Sequence, residues 1–341
     1  MDKIKSDLHR LCVASGAAGL PEIVDVCRDL LADLTDEVEV DAMGNVLAVR
    51  RAADPNAPLL MLEAHLDEIG FLVTHIDDKG FVHVAAAGGV DERVLTAQPV
   101  IVHGDKPYAG VFCSTPPHLA SKDGELPELA DRGIDIGMSA EEAKTHIQLG
   151  SRVTFAPAVR ELNDTMLTGK ALDDRAGIAA ILHCLRRLDG PQSMHIGVAL
   201  CVQEELGCRG CVPAVRRLQP KLAIVTDVSF GHTPDADSYA CGKMGGGVMV
   251  GISPVLHTGM TKRLQTLAES GSIPQQTEVM GGNTGTDADM ISRSLLGIPT
   301  ALLSIPLRYM HTPVETVDVR DVAAVGDLMA AYIREGGAEI E

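Results

Sequence analysis

The sequence predicts an α/β fold: an open, largely parallel sheet with helices on both faces, into which a small β-rich module is inserted. Three observations carry this. From about Leu167 onward, apolar strand-like runs alternate with helical patterns, as in chains whose strands are joined by crossover helices. Near the start, Leu59-Leu60-Met61-Leu62 is a continuous apolar run, as expected of a strand covered on both faces. Between them, from about residue 69 to 160, the pattern changes to short strands and frequent turn signals.

Taken in order, Leu8, Leu11 and Cys12 sit at helical spacing before Gly16 and Gly19 break the pattern. Pro21 then opens a second helix, whose apolar face is Ile23, Val26, Cys27, Leu30 and Leu31. Val38 and Val40 alternate as a strand, and a turn at Met43-Gly44-Asn45 leads to a second strand over Val46–Val49. In the insert, Asp77-Asp78-Lys79-Gly80 and Gly104-Asp105 separate pairs of strands. Pro116-Pro117 and the polar stretch from Ser121 to Pro127 read as a loop, and Ser139 with Glu142 forms a capping box for a short helix. Beyond it, helices are expected at Ala176–Leu188, Arg209–Leu218, Thr258–Glu269 and Val319–Ile333, and strands at Ile196–Val202, Leu222–Val225, Gly246–Ile252 and Thr300–Ile305. The simplest organisation is one α/β domain made of residues 1–68 and 161–341, with residues 69–160 inserted after His65.

Composition narrows the function. A formal charge of −18 repels phosphate backbones, so nucleic acid is not an expected partner. Aromatics are 3% of the chain, too few to line a base- or sugar-stacking groove. The eight cysteines are scattered and read as reduced core thiols. No apolar run reaches the roughly 18 residues that span a bilayer, and the N-terminus lacks the apolar core of a signal peptide. A soluble, cytoplasmic protein without membrane contact is expected.

Chemistry-bearing residues gather just past the carboxyl ends of the expected buried strands, where open α/β sheets bind ligands. His65 and Asp67 follow one strand, Glu204 and Glu205 another, Asp227 a third and His311 a fourth; Asp173 and Asp174 open the helix near Ala176. Singly, each has an ordinary explanation. A histidine after a strand is commonly a hydrogen-bonded residue, Glu204-Glu205 a solvated turn, and an aspartate a helix cap. Capping accounts for one of Asp173 and Asp174, not both, and a carboxylate at Asp227 must be paired or ligated. Two histidines and three carboxylates make an N/O donor set suited to Zn²⁺ or Co²⁺, enough for two ions if one carboxylate bridges.

Other motifs carry less. Cys208-Arg-Gly-Cys211 has CxxC spacing but falls on an expected helix, with no second cysteine pair nearby. Gly242–Gly247 lacks the order of a phosphate-binding loop. No G-x-S-x-G elbow occurs. The loop Gly281–Asp287 reads equally as a helix cap and as a wall of a substrate pocket.

The blocks His65-Leu-Asp67-Glu-Ile-Gly-Phe, Pro116-Pro-His118-Leu, Ile134-Asp-Ile-Gly137, Leu172-Asp173-Asp174-Arg175-Ala-Gly177, Val202-Gln-Glu204-Glu205, Val225-Thr-Asp227-Val, Gly285-Thr-Asp287-Ala and Pro306-Leu-Arg308-Tyr309-Met-His311-Thr-Pro arrive in this order. On them the sequence resembles the tetrahedral (TET) aminopeptidases over nearly its whole length. These are co-catalytic metallopeptidases that include glutamyl, leucyl and lysyl aminopeptidases, and some were once labelled CelM-type endoglucanases. The resemblance implies a phosphorylase/hydrolase-like mixed sheet flanked by helices, a β-barrel or PDZ-like dimerisation insert, and dimers that assemble into a dodecamer. It implies peptide substrates and two divalent ions per subunit, zinc or cobalt. Asp173 would bridge the ions, with His65 and Asp227 completing one set and Glu205 and His311 the other. Glu204 would be the general base activating a water between the metals, and Asp67 would orient the His65 imidazole. A two-metal carboxypeptidase or deacylase, a glycosidase and a non-catalytic scaffold are the competing readings. The scarcity of aromatics disfavours the glycosidase, and the presence of Glu204 with all five ligands disfavours the scaffold.

Overall fold

The computed structural model describes residues 1–17, 19–116, 118, 128–234, 236–237 and 239–336. The expected loop over 121–127, and residues 117 and 119 of the Pro-Pro-His-Leu block, lie outside them.

Helices α1 (Asp2–Val13) and α2 (Glu22–Ala32) precede a hairpin of β1 (Glu37–Val40) and β2 (Val46–Arg50). Asp41 holds that turn by accepting the amides of Met43, Gly44 and Asn45. The central strand β3 (Leu59–His65) follows. The chain then builds β4 (Gly70–Ile76), β5 (Val82–Ala87), β6 (Pro99–His103), β7 (Pro107–Phe112), β8 (Ile134–Asp135), α3 (Ala140–His146) and β9 (Arg152–Phe155). These six strands close into a barrel in the order β4-β5-β8-β7-β6-β9, so the insert is a barrel and not a PDZ-like unit. Its core is separate from the rest, and Phe71, Phe112 and Phe155 meet edge to face inside it at centroid distances of 5.2 and 5.6 Å. Ser139 caps α3 by accepting the Glu142 amide.

The main sheet resumes with β10 (Arg160–Glu161), β11 (Met166–Gly169), α4 (Leu172–Arg187), β12 (His195–Cys201), α5 (Cys211–Leu218), β13 (Leu222–Phe230), β14 (Val248–Ile252), α6 (Thr258–Ser270), β15 (Gln275–Val279), α7 (Ala288–Ile291), β16 (Thr300–Arg308), β17 (Glu315–Asp318) and α8 (Val319–Arg334). Its order is β1-β2-β12-β3-β13-β16-β17-β11-β10, with β14 and β15 branching from β16. The largely parallel sheet expected from the alternation is a mixed one. Parallel pairing is confined to β12-β3-β13-β16 and to β14 with β15. β1 with β2, β10 with β11 and β16 with β17 are joined by short connections and pair antiparallel; β2 with β12 and β11 with β17 are also antiparallel, though distant in sequence. One face of the sheet packs on α1, α2, α4, α6 and α8; a smaller core covers the other face under α5 and α7. The carboxyl ends of the four parallel strands open at one edge, beside the barrel.

Two local expectations are corrected. The Cys208–Cys211 segment is not helical: Cys208 has φ +55° in a turn, and α5 starts only at Cys211. The cysteines are unpaired as expected, but not all are core thiols, because Cys113 is exposed and Cys208 and Cys241 are half-buried. No helix of the described residues is long and apolar enough to cross a membrane.

Candidate active site

Each of the five candidate ligands reaches the same point by a different route. His65 is the last residue of β3, paired with Cys201 of β12, not a residue beyond the strand. Side chains alternate along a strand, so Met61, Glu63 and His65 share one face. Asp227 also lies inside its strand, because Val228 to Phe230 continue to pair with Ile305 to Leu307; there its Oδ1 accepts the Val228 amide at 2.7 Å. At the start of α4, Asp173 and Asp174 are joined by a cis peptide and have non-helical dihedrals. Asp174 does the capping, accepting the Gly177 amide at 2.9 Å, and leaves Asp173 free to face the site.

Asp173 is the centre. Its Oδ1 lies 3.0 Å from Nε2 of His65, and its Oδ2 lies 3.5 Å from Nε2 of His311. On the first side, Asp227 Oδ1 is 3.9 Å from His65 Nε2. On the second, Glu205 Oε2 is 3.4 Å from His311 Nε2. One carboxylate thus divides two half-sites, each holding a histidine and a further carboxylate. Donor atoms of His65, Asp173 and Glu205 lie within 4.8 Å of one another, close enough to converge on a cation. Asp67 Oδ1 stands 3.5 Å from His65 Nδ1, and that same oxygen accepts the Glu204 amide at 3.1 Å. Glu204 is beside the cluster, its Oε1 accepting the Cys208 thiol at 3.4 Å.

The electrostatics fit a cation site. Burial, reinforced by Asp174, pushes the Asp227 carboxyl well up. Burial with the charge of Asp173 pushes Glu205 up to about 8, and burial raises Glu204. The Asp173 hydrogen bond pushes His311 up to about 9. Burial resists a charged His65, but Asp173 and Asp67 raise it nonetheless. Burial likewise opposes an ionised Asp173, which the two imidazoles still hold low. So many carboxylates in one buried space hold protons unless cations replace them.

Three supports were not legible in the sequence. Glu315, buried on β17, accepts the amides of both His311 (2.9 Å) and Asp173 (3.1 Å) through its two oxygens. It thereby holds His311 at φ +62°, a conformation uncommon for a residue with a side chain. Gly89, in the loop after β5, offers its carbonyl to Nδ1 of His311 at 2.8 Å, fixing which nitrogen faces the site. Glu68 lies buried with Lys170 at 2.8 Å and Arg175 at 3.8 Å, and accepts the Gly16 amide at 2.7 Å. These partners are 52 to 107 residues from Glu68 in sequence or come from turns without a pattern of their own. The only hints were Glu315 four residues after His311 and the Gly88-Gly89 pair.

Asp173, Glu204, Glu205, Asp227 and His311 open onto a cleft of about 360 Å³ whose other wall includes Phe230 and Thr284–Thr286. The Gly281–Asp287 loop therefore contributes to the pocket. Residues 44–328 match the profile of the M42 glutamyl aminopeptidase family. This chain belongs to that family. The lysyl aminopeptidase of Pyrococcus furiosus is 34% identical over 336 residues, which cover 96% of each chain. Aminopeptidase APDkam598 of Desulfurococcus kamchatkensis shares 31% identity and a TM-score of 0.91, covering 98% of this chain and 95% of that one. The TET1 peptidase of Pyrococcus horikoshii is 28% identical with a TM-score of 0.85, over 97% of this chain and 99% of its own; it assembles into a tetrahedron or a large octahedral shell. As an M42 peptidase the chain is a hydrolase of peptide bonds, an aminopeptidase that uses divalent metal.

Proposed function

We propose that this M42 peptidase removes N-terminal residues from peptides with two divalent ions, zinc or cobalt, held around Asp173. The observation that carries this is the division of labour at Asp173, whose two oxygens face His65 and His311 at 3.0 and 3.5 Å. His65 with Asp227 would hold one ion and Glu205 with His311 the other, Asp173 bridging. When bound, such a pair lowers the pKa of the attacking water and polarises the scissile carbonyl. The protein supplies the rest. Glu204, raised by burial, takes the proton of the attacking water and delivers it to the leaving amine. Asp67, 3.5 Å from Nδ1 of His65, orients that imidazole, and through the Glu204 amide it keeps the Glu204 carboxylate beside the reacting atoms. Gly89 and Glu315 orient His311. The acidic cleft favours the α-ammonium group of a free peptide N-terminus.

Residues 1–68 and 161–341 form the catalytic unit in this reading, and the barrel insert, residues 69–160, joins subunits. A tetrahedron with a dimer on each of its six edges holds twelve chains, and the assembly of the P. horikoshii relative supports a dodecamer here. The eight unpaired cysteines support a cytoplasmic location.

Dialysis against a strong chelator should abolish hydrolysis of aminoacyl p-nitroanilides, and Zn²⁺ or Co²⁺ should restore it with two ions per active chain. An N-acylated p-nitroanilide should remain uncut. Full activity in a verified metal-free sample, or preference for the N-acylated compound, would overturn the proposal.

A further inference from the structure

Behind Glu204, on the α5 and α7 face of the sheet, lies a second group of donors that the peptidase site does not use. Glu63 on β3 and Cys201 at the end of β12 stand on the same face and are 1% and 0% exposed. Asp287, 1% exposed, precedes α7. It occupies the N-cap position, yet its carboxylate makes no capping bond. Ligand atoms of Glu63, Cys201 and Asp287 lie within 4.8 Å of one another, as do those of Glu204, Cys208 and Asp287. Cys211, 0% exposed at the start of α5, belongs to the same small core as Cys201; its thiol donates to the Cys208 carbonyl at 3.4 Å and lies within hydrogen-bonding reach of Asp287.

The polar atoms here are unsatisfied. With both acids ionised, both oxygens of Asp287 and Oε1 of Glu63 are buried without a donor; the groups within reach of them are each other, through a shared proton, and the thiols of Cys208 and Cys211. Burying such atoms unpaired is costly, and an orphaned buried group in a native fold points to an ion or water that completes it.

We infer that Glu63, Cys201, Asp287 and Cys211 form a third metal site, distinct from the co-catalytic pair, that takes a borderline-soft cation such as Zn²⁺. Two carboxylates and two thiols make a mixed O/S set that suits zinc and not magnesium or calcium. Around a tetrahedral zinc, donors stand roughly 3.3–3.8 Å apart, a contraction of about 1 Å from the 4.8 Å limit within which three of them already lie. On binding, Zn–S and Zn–O bonds form, and the thiol protons, with any carboxyl proton, pass to solvent. The site shares no ligand with the proposed pair around Asp173, so each stands or falls alone. A cation there would tie β3, β12, α5 and the Asp287 loop together behind Glu204.

The test uses Cd²⁺ as the probe on full-length, metal-stripped protein, with ultraviolet absorption and metal analysis as readouts. Expected are a thiolate-to-cadmium charge-transfer band and one ion per chain more than in Cys201→Ser, which loses the band. Asp173→Asn should keep the band while losing co-catalytic metal. Glu63→Gln and Asp287→Asn, near-isosteric and so protected against a folding failure of the cysteine variant, should each lose the extra ion with secondary structure intact. A wild type without the band, or a band and stoichiometry unchanged in folded Cys201→Ser, Glu63→Gln and Asp287→Asn, would overturn the inference. So would a higher melting temperature in Glu63→Gln without any bound third ion, which marks a proton-sharing acid pair.

Discussion

Glu204 and Glu205 are neighbours in sequence with different surroundings. Glu205 reaches His311 and Asp173, whereas Glu204 points beside them, toward Cys208. Glutamine keeps the size of either side chain and removes its basicity. Glu204→Gln should therefore lower kcat by about 10²–10⁴ and leave both ions bound, while Glu205→Gln should weaken metal binding. Metal analysis beside steady-state kinetics separates them, and the reverse pattern would exchange the two assignments. Gly89 tests the other half-site. A Cβ there would lie 2.8 Å from Nδ1 of His311, so the imidazole must move or lose its carbonyl partner. Gly89→Ala should cost on the order of 10²-fold in kcat/KM, the scale of a displacement near 1 Å, with little change in melting temperature. Wild-type kinetics in that variant would show that His311 is held by Glu315 alone.

At the scale of elements, what the sequence revealed was whatever repeats along the chain. The apolar run at Leu59–Leu62 marked the central strand, and the donors after successive runs marked the sheet edge, because both depend on local periodicity. Helix boundaries were legible where a cap is local: Val319 begins α8 as expected because Asp318 accepts the Arg320 amide at 3.0 Å. What escaped depends on distant partners. Nothing near Glu68 announces Lys170 or Arg175; the turn at Cys208, by contrast, is local, closed by the Glu204 and Gln203 carbonyls, but carries no turn motif. β13 outran its apolar stretch because β16 continues to pair with it. The α8 cap gives a test with a sign. Burial raises the Asp318 carboxyl, but hydrogen bonds from Arg320 outweigh it and hold the group low. A depressed folded value means that the stabilisation is complete above the ordinary carboxylate range near pH 4 and is lost as pH falls through the folded value. Asp318→Ala should cost about 1 kcal/mol at pH 7, read by thermal melts, and the gap should close in acid. A gap that widens on acidification would assign the stabilisation to something other than the charged cap.

For the whole molecule, the relation between barrel and sheet decides which experiments can be read. The barrel leaves and rejoins the α/β unit at adjacent points, because its first and last strands pair at Phe71 and Val153, and a Cβ on Gly70 would lie 2.8 Å from the Val153 carbonyl. A module entered and left at one place can be excised with a short linker, and its core is separate from the two cores of the sheet. Its loop after β5 nonetheless reaches into the active site, where the Gly89 carbonyl holds His311. If His311 holds a metal as proposed, removing residues 69–160 should impair catalysis whether or not the barrel joins subunits, so activity does not report on assembly. Particle size can. With a charge of −18 on every chain, subunits repel one another in low salt, so an assembly needs a specific surface to hold it. If the barrel supplies that surface, a folded deletion variant should give smaller particles by light scattering than the full chain at the same ionic strength. An unchanged size in a variant that keeps its helical signal would place the contacts on the α/β unit instead.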